Sequence, residues 1–129
     1  MKKNTGKAFE KLVRIMKRLH SPGGCPWDRR QTHASLIKYL HEETGEMAEA
    51  VKNKDWENLK EELGDVLLQV VFHARLAEAR GRFGINEVID GINEKLVRRH
   101  PHVFGGRKLK TSRQVLRQWN EIKRKEKEN

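Results

Sequence analysis

Cysteine is almost missing from this sequence. Cys25 stands alone among 129 residues, so no intrachain disulfide can form, and a reducing cytoplasm is the expected setting. No local motif marks Cys25 as a catalytic thiol; it reads as a small loop residue. Long apolar runs are also absent. None approaches the ~20 residues that cross a bilayer, which excludes a membrane-spanning helix. The start, Met1-Lys2-Lys3-Asn4-Thr5-Gly6-Lys7, leads into an amphipathic pattern rather than a signal-peptide core. Internal repeats and long low-complexity segments are lacking. Acidic residues are outnumbered, and the net charge of +10 points to an anionic partner. The length suits one domain with a modest core, spanning 1–129 with its centre at about 8–127.

Helical periodicity is what the chain has instead. Phe9, Leu12, Val13, Met16 and Leu19 give a first helix, closed by the breaker-rich loop Ser21-Pro22-Gly23-Gly24-Cys25-Pro26. A second helix is capped near Thr32 and runs to about Asn53. Asp55 caps a third, which continues to about Arg80 and breaks at Gly81-Arg82-Phe83-Gly84. A fourth starts near Asn86, carries Val88, Ile89, Ile92 and Leu96, and stops before Pro101. After a loop at Gly105-Gly106, Ser112 caps a last helix with Val115, Trp119 and Ile122 inward. The fold class is all-α, a bundle of four to five helices. On the third helix Leu59, Leu63, Val66, Val70, Ala74 and Ala77 form the apolar stripe, yet Leu67, Leu68, Val70, Val71 and Phe72 cover nearly the whole circumference. A symmetric dimer through the helices would cover what one bundle leaves bare.

Two carboxylate pairs carry the chemistry. Glu43/Glu46 and Glu62/Asp65 both have i,i+3 spacing, so each pair points one way on its helix. With Leu36 at zero, Glu43 falls at about −20°, inside the apolar stripe, and Glu46 at about −80°, on its edge. A solvated acidic face would place its charges opposite the stripe. Four carboxylates brought together from neighbouring helices repel one another, and a divalent cation removes the conflict. Mg2+ takes such hard oxygen ligands, together with substrate phosphates. Gly45 and Gly64 would allow close helix approach beside the cluster. His73 reads as a core histidine, and His100 and His102 as turn residues around Pro101.

Basic residues crowd Lys11 to Lys17, Lys95 to Arg99, and Arg107 onward. A nucleotide polyphosphate or a nucleic acid would satisfy them. For the tail Lys123-Arg124-Lys125-Glu126-Lys127 a solvated face suffices. Lys95 and Arg99 share one helix face, as do Trp119 and Lys123. The first pair also fits a solvated face, and Trp119 also fits a core tryptophan beside Val115 and Ile122.

Several segments, in this order, resemble the MazG family of nucleoside triphosphate pyrophosphohydrolases. They are Gly24-Cys25-Pro26-Trp27-Asp28, Gln31-Thr32, the Glu42/Glu43/Glu46 and Glu62/Asp65 signatures, Leu67 to His73, Lys95 to Phe104, and Trp119 with Lys123. The resemblance implies an all-α enzyme that cleaves a nucleoside triphosphate between the α and β phosphates, releasing a monophosphate and pyrophosphate. It implies Mg2+, with Mn2+ as a substitute, held by Glu43, Glu46, Glu62 and Asp65. Glu42 and Glu61 would then be outer carboxylates or occasional ligands. One carboxylate of the cluster, Glu42 included, activates water. The resemblance gives Lys95 and Arg99 to the triphosphate, Trp119 and Lys123 to the nucleotide, and Trp27 to the base. Many relatives carry two copies of the domain; this sequence has one, resembling the N-terminal copy, which favours a homodimer or a dimer of dimers. Nucleic acid is then the lesser partner. A dUTP or phosphoribosyl-ATP pyrophosphohydrolase, and a non-catalytic basic helical module, are the alternatives.

Overall fold

In the computed structural model every regular element among the described residues, 4–128, is helical. Met1 to Lys3 and Asn129, the ends of the expected domain, lie outside them. The order is α1 (Thr5–His20), α2 (Pro26–Arg30), α3 (His33–Lys52), α4 (Trp56–Ala79), α5 (Ile85–Arg99), α6 (Pro101–Phe104) and α7 (Ser112–Glu128). The chain divides into two compact units, Met1–Ile85 and Asn86–Asn129.

The first unit is built on the α3–α4 hairpin. Thr32 caps α3: its hydroxyl accepts from the Ser35 N–H, and the Ser35 hydroxyl accepts from the Thr32 N–H. Asp55 caps α4 through the Asn58 N–H. Between them the chain reverses in a Schellman turn, where the N–H of Asp55 donates to the Ala50 carbonyl and that of Lys54 to the Val51 carbonyl. Lys54 takes the left-handed conformation this turn needs, at φ 54°. Residues equally far from such a turn face each other across an antiparallel pair. Glu43 thus meets Glu62 and Asp65, and His33 meets His73.

Met16 of α1, Leu36 of α3, and Val71, Phe72 and Leu76 of α4 form the buried core, with Phe9, Leu12, Val13, Leu19, Tyr39, Leu68 and Ile85 packed against it. The buried face of α4 therefore keeps Ala74 and Ala77 of the stripe that periodicity marks but not Leu63 or Val70. Leu63 and Val70 are 47% and 42% exposed, whereas Glu62 and Gln69 are buried. On a helix apolar nearly all round, periodicity cannot choose a face; contact with α1 and α3 does.

Other expectations also change. Pro26 opens a short helix, α2, where a loop was expected, because proline suits a first helical position. Pro101 does the same for α6. A Cβ at Gly24 would strike the Leu19 and Arg18 carbonyls, so glycine is needed in this turn. Gly45 and Gly64, by contrast, face open space and mediate no close helix approach.

In the second unit, Thr111 rather than Ser112 caps α7. Its hydroxyl accepts from the Gln114 N–H, and the Gln114 carbonyl oxygen accepts from the N–H groups of Thr111 and Lys110. Near its end, α7 is pinned to α5 by Glu126, which accepts from Arg98 Nε at 2.7 Å and from Arg99 at 2.8 Å. Glu126 is therefore no part of a solvated face.

Candidate metal centre

Helix α3 presents Glu43, and one α-turn of α4 presents Glu62 and Asp65. Each offers one carboxylate oxygen, and the three oxygens lie within 4.8 Å of one another. Glu62 is buried, and Glu43 and Asp65 are half-buried. Oε2 of Glu43 and Oε2 of Glu62 are both buried without a hydrogen-bond partner. A buried carboxylate oxygen with no donor is costly.

The electrostatics report the same crowding. Burial pushes the Glu62 carboxyl up to about 7, helped by a hydrogen bond with Glu46 and by repulsion from Glu46, Asp65 and Glu43. Burial, then Asp65 and Glu46, also raises Glu43. Glu46 is exposed and lies at the margin, against Glu62, outside the three-oxygen group. Glu42 and Glu61 are exposed. The arrangement is an all-oxygen, anionic donor set with two unsatisfied buried oxygens. It fits a hard divalent cation such as Mg2+ or Mn2+.

Elsewhere in the first unit, Trp27 is 48% exposed and stands edge-on to Tyr39 at 5.6 Å. His73 is a core histidine only half satisfied: its Nδ1 meets His33 Nδ1 at 2.7 Å, while its Nε2 is buried and unpartnered. Burial and then His33 lower the His73 pKa.

In the second unit, the Arg99 guanidinium lies 5.1 Å from the Trp119 ring centre. His100 meets the same ring edge-on at 5.2 Å and bonds the Leu96 carbonyl. Trp119 also lines an open apolar groove of about 620 Å3 with Leu109, Val115 and Leu116. Lys95 and Lys123 are exposed. His102 Nδ1 accepts from the Gln118 side-chain amide, whose carbonyl accepts from Arg107, so both histidines order the segment after α5. The bond from Glu126 to Arg99 joins residues 27 apart and left no local signal in the sequence.

Residues 31–104 match the family model described as the MazG nucleotide pyrophosphohydrolase domain. The match contains every carboxylate of the cluster, with Lys95 and Arg99; Trp27, Trp119 and Lys123 fall outside it. The chain is similar to the nucleoside triphosphate pyrophosphohydrolase/pyrophosphatase MazG of Thermotoga maritima, 55% identical over 125 residues, covering 97% of this chain and 48% of that protein. It is 45% identical over 119 residues to the nucleoside triphosphate pyrophosphohydrolase of Escherichia coli, covering 92% of this chain and 45% of the relative. It thus spans about half the length of these relatives. Among solved structures, a mazG-related protein from Thermotoga maritima superposes with a TM-score of 0.75 at 30% identity, over 89% of this chain and 98% of that one.

Proposed function

The chain belongs to the MazG nucleotide pyrophosphohydrolase domain family, and we propose that it hydrolyses nucleoside triphosphates between the α and β phosphates, giving a nucleoside monophosphate and pyrophosphate. The observation that carries this reading is the carboxylate cluster with its two unpartnered buried oxygens. Glu43, Glu62 and Asp65 would hold Mg2+ or Mn2+, with Glu46 beside them. Such an ion, when bound, lowers the pKa of its water and neutralises charge on the phosphates.

The protein's own groups supply the rest. Lys95 and Arg99 are our candidates for the triphosphate, and Trp119, Lys123 and Trp27 for the nucleoside. Arg99 comes to this task already oriented, held by Glu126 and by the face of Trp119.

The active form is proposed as a homodimer. Leu63, Leu67 and Val70 lie at i, i+4, i+7 spacing on α4 and are 47%, 40% and 42% exposed, an apolar stripe in need of cover. No described helix is long and apolar enough to cross a membrane, which is consistent with a cytoplasmic nucleotide hydrolase.

The test is release of pyrophosphate and monophosphate from a panel of NTPs, dNTPs and phosphoribosyl-ATP, with Mg2+ and with chelator. Metal-dependent release of both products supports the reading, and the ranking names the substrate. A folded, metal-binding protein that turns over no NTP or dNTP would sink it, and turnover of phosphoribosyl-ATP alone would favour that alternative.

A further inference from the structure

A second charged site lies at the other end of the α3–α4 hairpin. A cleft of about 360 Å3 is lined by His20, Arg29, Arg30, Gln31, Thr32, His33, Leu76, Ala79, Arg80 and Arg82. Four arginines converge there from two directions, Arg29 and Arg30 from α2 and Arg80 and Arg82 from the end of α4, and the lining contains no acidic side chain. Among the described residues none of the four is in an ion pair, whereas nearby Arg75 is held by Glu78.

Neutral groups add donors. The α3 N-terminus opens here, and its capping box serves only the N–H groups of Thr32 and Ser35. Those of His33 and Ala34, in the first turn of a long helix, have no helical partner. His20 accepts from Arg75 Nε at 3.2 Å through Nδ1, which leaves the proton of the neutral ring on Nε2. Burial, then Arg75 and Arg29, lower the His20 pKa, while Asp28 opposes them. The four arginines are exposed, so their charges are screened rather than strained, and their planar guanidinium forks match phosphate oxygens in pairs.

We propose that this cleft is an anion site that takes a phosphate or pyrophosphate group, separate from the carboxylate cluster. Along α3, His33 and Glu43 are about 15 Å apart, and along α4 Asp65 and Arg80 about 22 Å. One pyrophosphate therefore cannot reach both. The cleft's size and its concave lining suit a small phosphorylated molecule. The assignment does not depend on the pyrophosphohydrolase reading.

The experiment is calorimetric titration of the whole protein with inorganic pyrophosphate in excess chelator, so that no divalent ion recruits it to the carboxylates. Binding should persist in Lys95→Ala/Arg99→Ala and weaken at least tenfold in Arg29→Gln/Arg80→Gln. Arg82→Gln alone, on an exposed loop residue, should weaken it severalfold and serves if the double variant does not fold. In amide NMR spectra, His33 and Ala34 should shift on titration. Inorganic phosphate should compete if a single phosphoryl group suffices; pyrophosphate binding that phosphate cannot displace assigns the cleft to a diphosphate. The proposal is overturned if the wild type does not bind, if the arginine variants bind as well as the wild type, or if binding disappears only with Lys95 and Arg99. A single-stranded oligonucleotide that binds far more tightly than pyrophosphate, through the same arginines, would also overturn it.

Discussion

Glu43 and Glu62 reach toward each other from adjacent antiparallel helices, each with a buried Oε2 that no donor satisfies. Like charges held this way store unfavourable energy in the metal-free protein and release it when a cation binds. Replacing Glu62 by Gln removes the repulsion. The expected result is a metal-free protein that melts higher than the wild type, yet gains little from Mg2+ and loses activity. Changes to groups that merely support metal ligands cost about 10–100-fold, so loss of a ligand should exceed about 100-fold. Thermal melts with Mg2+ and with chelator, beside a pyrophosphate-release assay, check both halves.

The pH dependence has a definite sign. The Glu62 pKa rises from 4.5 to about 7 on folding, so the folded state binds the proton more tightly. Below pH 4.5 the group costs no stability; as pH rises from 4.5 through about 7 the metal-free protein loses stability on its account. Mg2+ needs the carboxylate ionised, so its affinity should climb over the same interval. The readout is the difference between wild type and Glu62→Gln in melts at pH 5 to 8 (about one pH unit apart) with chelator, together with Mg2+ titrations. A difference flat in pH would remove Glu62 as the titrating group.

Glu126 behaves oppositely. Hydrogen bonds to Arg99 and Arg98 hold its carboxyl down to about 2. Its stabilising contribution is complete above the usual 4.5 and is lost as pH falls through about 2. Glu126→Gln should speed amide exchange in the last turns of α7, and free the Arg99 guanidinium from its fixed place against Trp119. If Arg99 binds triphosphate, KM should rise more than kcat falls.

The stripe of Leu63, Leu67 and Val70 predicts assembly. Light scattering should find a dimer for the wild type and a monomer for Leu67→Lys, because a charge in the middle of an apolar interface is not solvated. A wild-type monomer at micromolar concentration would leave the stripe without this role.

The hairpin turn offers a stabilising change. Lys54 sits at φ 54°, a conformation that costs a non-glycine residue roughly 1–2 kcal/mol. Glycine removes that strain but loses roughly 0.5–1 kcal/mol in unfolded-state entropy. Lys54→Gly should therefore raise stability by up to about 1.5 kcal/mol in urea unfolding. At the other extreme, Leu36→Ala, in the fully buried core, should cost about 2–5 kcal/mol.

The local signals in this chain were legible because they act within a few residues. Thr32 and Asp55 cap their helices because a hydroxyl or carboxylate reaches an N–H three residues on. The i,i+3 spacing of Glu43/Glu46 and Glu62/Asp65 states in advance that each pair is one-sided. Pro26 and Pro101 misled as breakers because the same ring that ends one helix can begin the next.

Short-range forces set the helical class, the long helices and the one-sided carboxylate pairs, since periodicity and capping act within a few residues. Which carboxylates meet depends on packing. The Schellman turn at Asn53 and Lys54 sets the register of α3 on α4, bringing Glu62 and Asp65 to Glu43 and leaving Glu46 at the edge. Packing also decides which side of α4 is inside. With apolar residues on nearly every side, burial follows whichever face α1 and α3 cover, and that depends on residues far apart in the chain. The pairing of Glu126 with Arg98 and Arg99 arises in the same way, as does the gathering of four arginines along one cleft. Charges distant along the sequence acquire their meaning only when packing brings them within a few ångströms.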